Sequence, residues 1–193
     1  GTLTVGNEAT DSTTFVGGVT ATAPSSISLA GTVAATTGAS TITLGDAGTG
    51  VTVTANATVG GAATGLIDLG DVTINDGVTL TVGTGIGNAI NLDAVSGVGS
   101  GTASNLTINT TGVVTVAEAV GTDLGEVRIT QSGGTTFQST VNAANVVITD
   151  TADGQTVAFQ DNLTVGTGLT VSGVIDDAAG TLPSARVQRI ASR

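Results

Sequence analysis

Between Leu106 and Val171 one short pattern returns about every 21 residues, and its apolar, glycine and polar positions return in step. Leu106 and Ile108 are answered by Val127 and Ile129, then Val146 and Ile148, then Leu169 and Val171. A second series runs Val114 and Val116, Thr135 and Phe137, Val157 and Phe159, and a third runs Val120, Val141, Leu163. Gly112, Gly133 and Gly154 each stand just ahead of the second series. Apolar residues alternating with polar ones over a few positions make a strand with one face buried. Three such strands cannot cover that face alone, but stacking one coil on the next gives all of them a continuous core. The spacing therefore predicts an all-β chain wound as a β-solenoid, with coils of about 21 residues and three short strands in each.

The earlier part of the chain fits the same scheme less regularly. Thr2–Val5, Thr14–Val16, Ser26–Leu29, Thr41–Leu44 and Val51–Thr54 alternate polar and apolar residues, and Gly17-Gly18, Gly45-Asp46, Gly60-Gly61 and Pro24 separate them as turns. The step from Val53 to Ile74 keeps the period, but those from Val59 to Val82 and from Leu69 to Leu92 are longer. Loops at Gly83–Gly87 and Gly97–Gly101 are the expected places for the extra residues. No window carries apolar residues at helical spacing over three turns. At the shorter period the chain holds roughly nine coils, a rod of ~40 Å with Ile stacked on Ile and Phe on Phe inside. One domain over 1–177 is expected, followed by a non-repeat tail over 178–193.

Composition narrows the core and the chemistry together. Hydrophobic residues make up 39% of the chain, yet only Phe15, Phe137 and Phe159 are aromatic, so the core must be narrow and aliphatic. Fifteen acidic residues against four Arg, with no Lys and no His, give a net charge of -11, which argues against nucleic acid and anionic membrane as partners. Without Cys there are no disulfides, thiolates or Cys-based metal sites. No apolar run approaches the ~20 residues that span a bilayer. Beginning at Gly1 rather than Met, the chain reads as processed from an exported precursor, and an extracellular or cell-surface location is expected.

The motif search returns little chemistry. Polysaccharide-active β-helices need clustered carboxylates, basic residues and aromatic sugar platforms, and this chain has no His, Lys, Tyr or Trp. Arg128 sits two residues from Glu126 on one outward face, a surface ion pair rather than a catalytic dyad. An enzyme is not expected. Most Asp residues fall at turns, where the side chain binds its own backbone; the EF-hand and Gly-Gly-x-Gly-x-Asp calcium patterns are absent. Asp150 with Asp153, and Asp176 with Asp177, are the weak calcium candidates, and no other cofactor is expected. Gly83–Gly87 does not match the dinucleotide fingerprint, and without Lys there is no Walker loop. Sequons stand at Asn56, Asn105, Asn109 and Asn162. Thr-x-Thr pairs at Thr2, Thr20, Thr41, Thr52 and Thr79 are the pattern of ice-binding solenoids, but the steps between them are unequal and do not keep the coil period.

The runs Asn105-Leu-Thr-Ile-Asn-Thr-Thr-Gly-Val-Val-Thr-Val and Asn162-Leu-Thr-Val-Gly-Thr-Gly-Leu-Thr-Val-Ser-Gly173 resemble the β-strand repeats of large bacterial surface proteins, the filamentous-haemagglutinin-like adhesins and autotransporter passengers. The resemblance is one of composition and covers about two thirds of the chain. It implies a right-handed parallel β-helix with a structural or adhesive role at the cell surface. Two functions are expected on this reading: a self-assembling subunit of an extracellular filament or layer, or a stalk segment of a surface adhesin. Assembly as a homo-polymer would use the solenoid ends and the tail. In the tail, Leu182, Val187 and Ile190 are the apolar docking candidates, and Arg186, Arg189 and Arg193 would face the acidic coat of a neighbouring copy.

Overall fold

The computed structural model describes residues 1–99, 101–171 and 187–189. Among these residues there is no α-helix, and every strand-to-strand pairing is parallel. The chain winds as a β-solenoid whose strands stack in three columns, each eight rungs deep among the described residues. One residue of each rung traces a column. The first runs Leu3, Ile27, Val51, Val72, Val95, Val120, Val141, Leu163. The second runs Thr13, Val33, Val59, Val82, Ile108, Ile129, Ile148, Val171. The third runs Val19, Ile42, Ile67, Ile90, Val114, Thr135, Val157, Val187. Strands such as Ser26–Ala35 and Val51–Gly61 continue from the first column into the second, so those two columns form one sheet and the third stands apart.

All three series read from the sequence are columns of this rod. The coil length differs from expectation. Steps between stacked residues are shortest at Val127 to Val146 and longest at Val157 to Val187, with Val33 to Val59 and Leu80 to Leu106 next. The described residues form eight rungs, against the nine that the shorter period predicts for the whole chain, and at ~4.8 Å per rung they span roughly 35 Å. The cause lies in the corners, which take extra residues without disturbing the stacked strands. The two corners that lengthen the step from Leu80 to Leu106 are those near 83–89 and 98–103, where loops are expected.

The inner surface is almost wholly aliphatic. Ile27, Leu29, Ile42, Leu44, Ile67, Leu69, Ile74, Leu80, Ile90 and Leu92 are fully buried, and in the third column Ile42, Ile67 and Ile90 stand directly on one another. Phe137 and Phe159 pair in the same way, with ring centroids 5.0 Å apart and planes within 2°. The rung spacing dictates that stack, because two rings on neighbouring rungs of one ladder have no other separation open to them.

Glycine marks the corner where the second column turns into the third. A Cβ on Gly112 would lie 2.2 Å from the Asn88 carbonyl oxygen of the preceding turn, so the corners nest too closely for a side chain. Gly133 repeats the approach one turn later and donates its N–H to the Gly112 carbonyl at 2.8 Å. Gly154, third in the sequence series, has open space around its Cβ position, because its corner is longer.

Candidate functional site

Outward side chains of a parallel stack fall into ladders, so any function must be read from what each ladder repeats. Two features differ from a plain solvated surface: an acidic corner and a neutral hydroxyl face.

The acidic corner lies where the third column passes into the next turn's first column. Asp71 directly precedes Val72, while Asp93 and Glu118 stand two residues ahead of Val95 and Val120. Backbone bonds set these corners on one another: Val51 N–H donates to Asp71 O, Val72 N–H to Ala94 O, and Val95 N–H to Ala119 O. The result is a stack of carboxylates on consecutive turns, beside an open groove lined by Ala47, Asp71, Asp93, Ala94, Glu118 and Ala119. The Asp93 carboxyl is pushed above the ordinary carboxylate range, first by partial burial and then by the charges of Asp71, Asp68, Glu118 and Asp46. Among the described residues no set of acidic side chains converges as a metal centre requires.

The sign of the Asp93 effect follows from linkage. Its folded pKa lies above the unfolded value, so the folded rod holds its proton at a pH where the unfolded chain has lost it. The stabilisation is complete below the ordinary carboxylate pKa of about 4 and is lost as the pH rises through the folded value. A thermal melt is therefore expected to show a higher midpoint on acidification from neutral pH toward that value. Asp93→Asn should raise the midpoint at neutral pH and flatten the profile. A midpoint that falls across the same interval, or a variant profile identical to the parent's, would contradict this account.

The hydroxyl face lies on the second column, where the central outward residues are Ser12, Thr32, Thr58, Thr81 and Thr107 on five consecutive rungs. A parallel ladder, Thr4, Ser28, Thr52, Thr73 and Ser96, runs up the first column. The Thr-x-Thr pairs fail to keep the period because they sit on different columns: Thr2/Thr4 and Thr52/Thr54 lie by the first, Thr41/Thr43 by the third, Thr79/Thr81 on the second. The unit in register is the single outward hydroxyl. The second-column face is not flat. A trough of about 230 Å³ opens on it, lined by Ala9, Gly31, Thr32, Asn56, Ala57, Thr58, Thr79 and Thr81. On the sixth rung Thr107 is succeeded by Arg128, whose Nε and Nη2 donate to the two Glu126 carboxylate oxygens at 2.7 and 3.2 Å. Both side chains are about one-third exposed, where solvent removes most of the value of such a pair.

The calcium candidates are not brought together as a site. Asp150 and Asp153 are both exposed in the long corner over 149–156, while Asp176 and Asp177 lie outside the described residues. Of the docking candidates, Val187 and Arg189 belong to a strand paired in register with Val157–Phe159; Leu182, Arg186, Ile190 and Arg193 lie outside the described residues. The acidic corner escapes a residue-by-residue reading, which takes Asp46, Asp71 and Asp93 as separate turn residues. Its signal is positional: an acid one or two places ahead of the first-column strand in three consecutive coils. No protein family, no curated protein and no solved structure matches this chain.

Proposed function

We propose that this chain is a structural rod of the extracellular surface, a subunit of a filament or layer built by stacking solenoid rungs. The observation that supports this reading is the unbroken course of all three columns through eight rungs: the sequence is spent on continuing the stack. The outer edge of the first rung adds to it. Among the described residues its strands Thr2–Val5, Ser12–Phe15 and Val19–Ala21 are each paired on one side only, and Leu3, Phe15 and Val19 are only partly buried. A further rung laid there gains backbone hydrogen bonds and apolar cover in one step. Joining unlike ends is a heterologous contact without closure, which gives open fibres rather than a closed oligomer.

Electron microscopy of the purified chain tests the reading. Filaments that grow with concentration and disappear when residues 178–193 are deleted are the expected result. A rod that stays monomeric at high concentration overturns assembly and favours the second reading, an adhesin stalk whose contact surface is the neutral trough over Thr32, Thr58 and Thr81.

A further inference from the structure

A buried polar seam follows the corner between the second and third columns through consecutive turns. Its members, Asn88, Thr110, Ser132 and Thr151, are each no more than 2% exposed. In the two earlier turns direct bonds to the turn before close most of the seam. Asn88 Nδ2 donates to the carbonyls of Ala63 and Gly65 at 2.8 and 2.7 Å. The Thr110 hydroxyl donates toward Ile86 O and Asn88 O, and accepts from Gly112 N–H at 2.9 Å. Among the described residues only Asn88 Oδ1 is left there without a partner.

In the next two turns the direct bonds lapse. Among the described residues the enclosed hydroxyls of Ser132 and Thr151 meet no partner, and Thr135, the first inward residue of the third column just after Ser132, carries a third such hydroxyl. Ala152 N–H donates to Ser132 O at 2.8 Å, so the corners bearing Ser132 and Thr151 sit directly on one another. Serine lacks the reach of Asn88. Thr135 stands between Val114 and Val157 on its ladder, where valine would fill the same volume, so packing does not account for its hydroxyl. Folded interiors rarely leave such groups alone, and ordered water with several polar partners is their usual complement.

We infer that the seam at Ser132, Thr135 and Thr151 is a binding site for ordered water, which makes between turns the bridges that Asn88 and Thr110 make directly. The ligand is uncharged, because hydroxyls and carbonyls in an apolar rod supply no counter-charge for a buried ion. Water-oxygen magnetic relaxation dispersion on the whole chain tests this, since it counts internal waters held far longer than surface water. Thr135→Val and Ser132→Ala preserve volume closely enough to fold, and each is expected to reduce the dispersion amplitude of the parent, with no rise in the Thr135→Val melting midpoint. An unchanged amplitude in both variants, with Thr135→Val melting about 2–4 °C higher, means dry hydroxyls and overturns the proposal. So does a midpoint that rises with calcium in the parent and no longer does so in Thr151→Val, which would assign the site to a cation beside Asp150.

Discussion

Phe137→Ala is expected to cost about 3–5 kcal/mol and to lower the melting midpoint by roughly 10 °C. Phe137 is fully buried, with Val116 below it and the ring of Phe159 stacked 5.0 Å above. In a globular core, neighbours on several sides relax into such a cavity. In a rod, backbone hydrogen bonds hold each rung at a fixed distance from the next, so the void left by the ring stays largely open. The loss also removes the ring-on-ring term, worth about 0.5–1.5 kcal/mol beyond burial. Because each turn touches only its neighbours, the damage should be directional. Hydrogen exchange is expected to quicken on the seventh and eighth rungs, from Val141 to Val171, more than on the first five. A midpoint within ~2 °C of the parent's, or exchange that rises evenly along the rod, would contradict this picture of a stack held rung by rung.

Legibility of the fold in the sequence tracked the length of the corners. From Leu106 onward the steps Leu106 to Val127, Val114 to Thr135 and Val120 to Val141 are all equal, so a fixed period exposes all three columns at once. Before Leu106 the strands are equally regular, but corners of different lengths lie between them, and Leu80 meets Leu106 only after a longer excursion. A strand must match its neighbour's register and pleat, whereas a corner facing solvent tolerates insertion, so strands carry the signal and corners erase the period. The same cause hid the surface ladders. Thr58, Thr81 and Thr107 share one face only once the unequal steps between them have been absorbed. The seam was hidden for a different reason. Asn88, Ser132 and Thr151 are turn residues by type, and whether a turn side chain points inward depends on the path of its corner, which no local pattern encodes.

Gly83→Ala tests that corner path directly, with an expected loss of about 3 kcal/mol, near the upper end for a strained backbone position. Gly83 follows Val82 at the point where the second column bends toward the third, with φ +89 in the left-handed region. A Cβ there would also lie 2.2 Å from the Asn109 carbonyl oxygen on the next turn. Neither partner is free to retreat. Gly83 N–H is committed to Val59 O at 2.8 Å, Asn109 O accepts from Gly85 N–H at 2.8 Å, and Asn109 Oδ1 accepts from Gln131 Nε2 at 3.1 Å. Relieving the clash therefore means parting turns that these hydrogen bonds hold together. Gly17→Ala is the matched control, since nothing stands within 4 Å of its Cβ position and its φ lies outside the left-handed region. It should leave stability unchanged or raise it by about 0.4–1 kcal/mol through the unfolded chain. Side-by-side thermal melts separate the two cases: equal midpoints for the two variants would mean that the corners do not nest, and that the close stacking of turns is not what fixes the course of the rod.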